Sequence, residues 1–313
     1  MMGMTPKVVG MGAMNMDHLY RVEAILREGE APVKEYRESP GGSAANTIYA
    51  LGRLGISTGF IGSVGNDGYG QTLVADLSGT GVDTGHIAVK KGQPSGQVMA
   101  LVDRTGHRAL YVLPGANSYL SMDDIHRDYV NHAGYLHFSA FVGDEQLSMQ
   151  RELTAPLPPE VRLSFAPGAL YAARGWDQVA PIVSRSHILF ANRDEIRQLT
   201  GTGLPEAARC CLEAGCHMVV VTAGGAGEVC TIYQEGKEHR VAPALNTAQV
   251  KDSTGAGDAF AAGFLYCLLQ EGSTEECARL GEVMAVLSLR GLGARSSLPS
   301  ETELLRQRAS LLL

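Results

Sequence analysis

The sequence predicts one doubly wound α/β domain, a mostly parallel sheet in a three-layer arrangement with helices on both faces, and a small β-sheet element beside it. Three observations carry this. The 313 residues are 45% hydrophobic, enough apolar material for a large core. Short apolar runs alternate with helical stretches along the chain, the pattern of parallel strands joined by helical crossovers. Two stretches, roughly 17–40 and 91–114, break that pattern and are expected to build the small β element. No internal repeat or low-complexity linker divides residues 1–313, so they are expected to form a single domain.

In chain order, Lys7 to Met14 is a short apolar run closed by glycines, as a buried parallel strand would be. Arg21 to Pro40 is rich in charge with scattered apolar residues. Gly41 to Gly55 is a glycine turn feeding a helix, with Ala44, Ala45, Ile48, Leu51 and Leu54 on one side. Ser57 to Val64 reads as a strand and Gln71 to Gly79 as a helix stopped by its glycine. Gly96 to Pro114 alternates in places and turns at Asp103-Arg104-Thr105-Gly106, a hairpin signal. Tyr135 to Ser139, Arg162 to Phe165, His187 to Phe190 and Met218 to Thr222 are further short strands separated by helical stretches.

Composition excludes several classes. A net charge of −7 without any Lys/Arg run gives no field for a polyanion, so nucleic acid is not an expected partner, and a phosphate site must be built locally. The six cysteines form no CxxC pair and the nine histidines no HxxxH, so reduced thiols are expected rather than zinc ligands. No apolar stretch reaches the roughly 18 residues a membrane span needs, which points away from the membrane to a cytoplasmic protein.

The run Asp252 to Asp258, DSTGAGD, opens into an apolar helix expected to start near Asp258. Unpaired amides at a helix start, two glycines that let a phosphate approach, and the helix dipole make an anion hole there. A carboxylate following at once suits phosphoryl transfer, where the acceptor hydroxyl needs a proton acceptor. The same run also reads as simple capping by Asp252 or Thr254. A second glycine cluster, Ser39 to Asn46 (SPGGSAAN), lets the backbone approach a ligand at Gly41 and Gly42 and offers Asn46 to a hydroxyl. Val219 to Gly227, VVVTAGGAG, is a buried strand ending in a glycine loop, where open parallel sheets bind nucleotides. Asn192 and Glu195 stand three apart, placed either to orient hydrated magnesium and a phosphate or to form a capping box. Asn15 and Asp17 at a strand end point the same way and suit neighbouring hydroxyls. No GxxxxGK[ST] occurs, and the dinucleotide-like Gly10-Met11-Gly12-Ala13-Met14-Asn15 lacks its third glycine.

Together these motifs resemble the PfkB carbohydrate kinase family, the ribokinase-like fold. GGSAANTIYALGRLG (41–55) with GNDGYG (65–70) is similar to the family's first signature and DSTGAGDAF (252–260) to its second. The resemblance implies a small β-sheet lid, ATP as donor, magnesium (Mg2+), and transfer of the γ-phosphoryl group to a hydroxyl of a sugar or nucleoside. It makes Asp258 the base, with Gly255, Ala256 and Gly257 supplying the anion-hole amides. Asn192 and Glu195 match N-x-x-E, associated with Mg2+ and phosphate, and Thr222, Gly224 and Gly227 match the nucleotide loop. Asn15, Asp17, Gly41, Gly42 and Asn46 match the acceptor-binding pattern. Asp252, Gly293 and Ser297 fall where ribokinases bind a monovalent cation such as K+. Two copies are expected to pair through the lid.

The chain departs from ribokinases in reading GGSAAN for their GGKGAN and in lacking an acidic residue in Tyr135 to Phe141, while Pro114-Gly115-Ala116-Asn117 resembles a ribokinase segment. Ribose is therefore not singled out. A nucleoside kinase is the alternative, with Met14, Phe138, Phe141 and Tyr111 as candidate surface for a base, and a catalytically silent sugar- or nucleotide-binding protein is the reading outside the class.

Overall fold

The structure is a computed structural model that describes residues 6–105, 107–224, 227–245 and 250–311. Gly106 of the expected hairpin turn, and Gly225 and Ala226 of the expected nucleotide loop, lie outside the described residues. The strands are β1 (Val8–Met11), β2 (Asn15–Arg21), β3 (Glu35–Gly41), β4 (Thr58–Gly65), β5 (Ile87–Lys90), β6 (Gly96–Val102), β7 (Arg108–Leu113), β8 (Tyr135–Ser139), β9 (Arg162–Ala166), β10 (Ser186–Asn192), β11 (Met218–Thr222), β12 (Cys230–Gln234) and β13 (Lys237–Val241). The large sheet has the order β13-β12-β11-β10-β9-β8-β1-β4-β5. Its pairs from β11 to β5 are parallel, and β12 and β13 add an antiparallel edge.

Every residue of β1, β4 and β8 is buried, as a sheet covered on both faces requires. Alternate side chains divide the core. Val8, Ile188, Phe190, Met218 and Val220 pack under the helices Ser43–Arg53, Ala256–Leu269 and Thr274–Ser288. Val9, Met11, Leu189, Val219 and Val221 face the helices Asp144–Thr154, Trp176–Val183, Arg193–Thr200 and Glu206–Glu213. These are the three predicted layers. Helix Ala256–Leu269 is apolar almost all round because it lies between the sheet and two other helices, with Phe264 edge-on to Phe190 at 5.4 Å between centroids. Such pairs contribute about 1 kcal/mol beyond their buried area.

The smaller sheet has the order β3-β2-β6-β7 and falls on the two stretches that broke the alternation. By register, Asn15, Asp17, Leu19 and Arg21 share a face with Ser39, Val98 and Arg108, whereas His18, Tyr36, Met99 and Tyr111 lie on the other. The ends of the charged segment Arg21 to Pro40 are paired strand, as expected of the small β element. The hairpin β12–β13 was not among the expected strands, although its two-residue turn Glu235-Gly236, with φ of 51° and 72°, is the geometry an X-Gly hairpin turn supplies. The helix expected to begin near Asp258 begins at Ala256. Among the described residues no helix is long and apolar enough to cross a membrane.

Candidate active site

From β1 the chain builds outward through β4 to β5, and from β8 it builds the other way to β11, so the connections diverge between β1 and β8. That divide leaves a crevice at the strands' carboxyl ends. Gly12 lies there, and a Cβ on it would come within 2.4 Å of Ser139 Oγ and 2.9 Å of Ala44 Cβ. Ser139 Oγ in turn accepts from the Ala44 amide at 2.9 Å, tying the end of β8 to the start of helix Ser43–Arg53.

The first glycine turn delivers that helix. Gly42 has φ 102°, and a Cβ on it would lie 2.1 Å from the Ala13 carbonyl oxygen, so backbone packing demands glycine. At Gly41 a Cβ would sit 2.2 Å from Asp17 Oδ2, because the Asp17 carboxyl rests directly on this Cα. Asp17 Oδ1 is enclosed with no hydrogen-bond partner. Burial, with Asp258 adding to it and Arg295 opposing, pushes the Asp17 carboxyl up to about 7. Asn15 is turned inward, its Oδ1 accepting from Asn117 Nδ2 at 3.0 Å, and Asn117 also holds the Met14 amide at 2.9 Å.

The second turn delivers helix Ala256–Leu269. Its cap, Gly255, has φ 75° and meets Ala294, whose Cβ would be 2.4 Å from an added methyl. Gly257 faces open space, with nothing within 4 Å of a built Cβ. No side chain caps this helix. The capping by Asp252 or Thr254 that the sequence allowed is not formed. Asp252 Oδ1 instead accepts from the amide and hydroxyl of Thr254 at 2.9 and 2.7 Å, and Oδ2 from the Gly293 amide at 2.8 Å. Burial pushes the Asp252 carboxyl up, but these amides overcome it and hold it below the ordinary value. Ser297 Oγ lies against Gly291 in the loop that supplies Gly293.

The two turns meet at Asp258. Its Oδ1 accepts from Ser43 Oγ at 2.6 Å and its Oδ2 from Asn46 Nδ2 at 2.8 Å, across more than 200 residues of sequence. Thr47 Oγ1 reaches the Asp258 carbonyl at 3.3 Å. Although the residue is half-buried, desolvation pushes its carboxyl up to about 6; Ser43, Asn46 and Arg295 oppose the shift and Glu195 adds to it.

On the other side of the crevice, Asn192 ends β10 and pairs in register with Thr222 at the end of β11. Asn192 Oδ1 accepts from the Asp194 and Glu195 amides at 2.9 and 2.8 Å, while Glu195 Oε2 accepts from the Asn192 amide at 2.9 Å. The reciprocal capping box is therefore formed, which leaves the side-chain Asn192 Nδ2 and the second Glu195 oxygen outside it. Gly224 and Gly227 have φ of 61° and 78° and open space where a Cβ would stand. The small sheet touches the second turn through Arg108 Nη1, which donates to Ser253 Oγ at 3.1 Å, and Arg21 Nη2, which donates to the Lys251 carbonyl at 3.4 Å.

Sequence reading missed Ser43, Ser139, Arg108 and Arg295. Ser43 stood where GGSAAN departs from GGKGAN, and that departure was the available signal. Arg295 is 7% exposed and is the cation in the small-residue run Gly291-Leu292-Gly293-Ala294-Arg295-Ser296. A charge amid such residues is a weak but readable sign of a buried partner.

Known proteins resemble this chain in sequence and fold. Residues 5–301 match the pfkB family of carbohydrate kinases. The chain is 37% identical to a sugar kinase of Archaeoglobus fulgidus over 256 residues, 81% of this chain and 99% of that one. It is 30% identical to an ATP-dependent ribose-1-phosphate kinase of Halopiger xanaduensis over 292 residues, 93% and 94% of the two chains. The structure of Arabidopsis thaliana ribokinase complexed with ribose and ATP superposes with a TM-score of 0.81 at 26% identity, covering 97% of this chain and 98% of that one. The chain belongs to the pfkB family of carbohydrate kinases and is a sugar kinase, an ATP-dependent phosphotransferase.

Proposed function

We propose that Asp258 takes the proton from the acceptor hydroxyl as that oxygen attacks the γ-phosphorus of ATP, with ADP as the leaving group. The observation that carries this reading is the Asp258 carboxylate, fixed at both oxygens by Ser43 and Asn46 at the start of an uncapped helix. The amides of Gly255, Ala256 and Gly257 then face the transferring phosphoryl group, and Gly257 leaves it room. The acceptor lies among Asp17, Asn15, Gly41, Gly42 and Asn46. The enclosed, unpartnered Asp17 Oδ1 is suited to accept from one of its hydroxyls. The nucleotide lies along Thr222, Gly224 and Gly227. The small sheet, 17–40 with 91–114, acts as the lid that excludes water, and Arg108 brings a cation to the phosphate side as it closes.

Glu195 offers one free carboxylate oxygen, a donor set that suits Mg2+ held through water and phosphates rather than in a protein cage. Bound there, the ion would neutralise phosphate charge. The Asp252–Gly293 link joins the two loops between which K+ would bind, with Ser297 beside them. All six cysteines are free thiols, in keeping with a cytoplasmic protein. The edge strand β7 exposes Leu110, Tyr111 and Leu113 by 54%, 62% and 54%, an apolar edge that favours homodimer pairing through the lid.

A relative named as a ribose-1-phosphate kinase and a ribokinase complexed with ribose support a pentose or pentose phosphate as the acceptor. The nucleoside reading has less support: Met14, Phe138 and Phe141 are core residues, and Tyr111 lies on the lid face opposite Asp17. A phosphorylation screen of pentoses, hexoses, sugar phosphates and nucleosides with ATP and ADP tests this. Turnover of a nucleoside alone would reverse the choice of acceptor, and wild-type turnover by Asp258→Asn would remove the assigned base.

A further inference from the structure

We propose that Arg295 is a positioning residue for phosphoryl transfer, acting through Asn46 and Gly41 to hold the base and the acceptor carboxylate in one geometry. The proposal rests on the assignment of Asp258 as base. A side-chain amide presents an oxygen and a nitrogen of nearly equal shape, and only its partners decide which way it faces. Arg295 Nε can only donate, and it meets Asn46 Oδ1 at 2.8 Å. The Asn46 oxygen must therefore face the arginine and its NH2 must face Asp258 Oδ2. With the amide reversed, oxygen would face carboxylate.

The same planar group is held on every edge. Nη2 donates to the Gly41 carbonyl at 3.1 Å, Nη1 to Asp76 Oδ2 at 2.5 Å, and the guanidinium carbon lies 5.1 Å from the Tyr49 ring centre. Gly41 is the residue on which the Asp17 carboxyl rests. One cation thus ties the first glycine turn, helices Ser43–Arg53 and Gly68–Ser78, and the loop that packs Ala294 on Gly255. Burying a charge is costly, and an apolar side chain of similar size would serve packing alone as well or better. The three divergent bonds instead require a guanidinium. Charged groups acting on Asp258 include Glu195 from helix Arg193–Thr200, Asp17 from β2 and Arg295 itself, while Arg108 from β7 and Asp252 act on Asp17 beside it. Arg295 is the buried cation that also bonds Asn46.

Arg295→Lys keeps the charge and loses the fork. We expect a folded enzyme with acceptor KM raised about tenfold or more, lowered kcat and unchanged KM for ATP. Arg295→Gln also removes the charge, and the Asp258 carboxyl, followed by NMR in protein with 13C-labelled aspartate and no substrate, should titrate at higher pH than in wild type. Asp76→Asn, which loosens the guanidinium from its far side, should raise acceptor KM more mildly. A purely structural role would lower thermal stability and leave acceptor KM unchanged. Folded Arg295→Lys or Asp76→Asn with wild-type acceptor KM, or Arg295→Gln with Asp258 titrating as in wild type, overturns the proposal. If the wild-type enzyme phosphorylates no hydroxyl acceptor, the functional reading fails, while the carboxyl titration still reads whether Arg295 acts on Asp258.

Discussion

The two glycine turns, 39–46 and 252–258, look alike as sequence: each is a polar, glycine-bearing stretch that opens a helix. Their glycines are used differently. In the first, Gly41 and Gly42 are forced by neighbours, Asp17 above one and the Ala13 carbonyl against the other, and Ser43 and Asn46 reach Asp258. In the second, Gly255 is forced by Ala294, but Gly257 is surrounded by open space, beside the helix-start amides and Asp258, the proposed base. One turn is built for packing and reaches Asp258 with side chains. The other keeps its surface clear, as the proposed phosphate site requires.

The hardest test of that contrast is Asp258→Asn, which preserves shape and removes the proton acceptor. We expect kcat to fall by about three to four orders of magnitude with the fold retained, read by steady-state kinetics and circular dichroism. Next comes the glycine pair. Gly257→Ala adds a methyl in open space on a helix and should raise stability by about 0.5 to 1 kcal/mol. It should still cost about tenfold to a hundredfold in kcat, because the methyl occupies the space left for the phosphate. Gly42→Ala should do the reverse: its Cβ clashes with a backbone carbonyl at a positive φ, so a loss of about 1 to 3 kcal/mol in denaturant melts comes first. If Gly257→Ala were destabilising and Gly42→Ala silent, the assignment of roles would be inverted. Arg108→Ala is expected to have a smaller effect, about tenfold on kcat with unchanged melting, since its bond to Ser253 is a single contact from an exposed strand.

The large sheet was legible because burial on both faces writes itself as continuous apolar runs: Tyr135–Ser139 and Met218–Thr222 were bounded correctly from the sequence. β2 and β3 were harder, since strands with one open face carry charge, as in Glu35-Tyr36-Arg37-Glu38. β12 and β13 were missed because an edge hairpin with Lys237-Glu238-His239-Arg240 on its outer strand reads as loop. In the candidate site, residues inside glycine motifs could be named, because spacing along the chain places them. Arg295 and Asp76 could not, because their meeting with Asn46 depends on how three separate elements pack, and no local pattern records that.

The finest test lies within the second turn, where Asp252 and Asp258 are six residues apart and should respond to pH with opposite sign. The Asp258 carboxyl is pushed up from 3.8 to about 6 by burial, so the folded state binds its proton more tightly than the unfolded chain does. Its contribution to stability is then fully present below about pH 4 and is lost as pH rises through 6. Asp258→Asn should therefore raise the melting temperature at pH 8 by a few degrees and leave it nearly unchanged at pH 4. Asp252 is held below the ordinary value by the Gly293 and Thr254 amides despite its burial, so its contribution is present above about pH 4 and is lost on acidification. Asp252→Asn should lower the melting temperature at pH 8 and converge with wild type in acid. The catalytic profile of the wild-type enzyme should follow the first carboxylate, with kcat falling as pH drops through about 6, because a protonated Asp258 cannot accept the acceptor's proton. Melting curves at pH 4 and pH 8 that moved in the same direction for both variants would remove the opposite pH response of the two carboxyls.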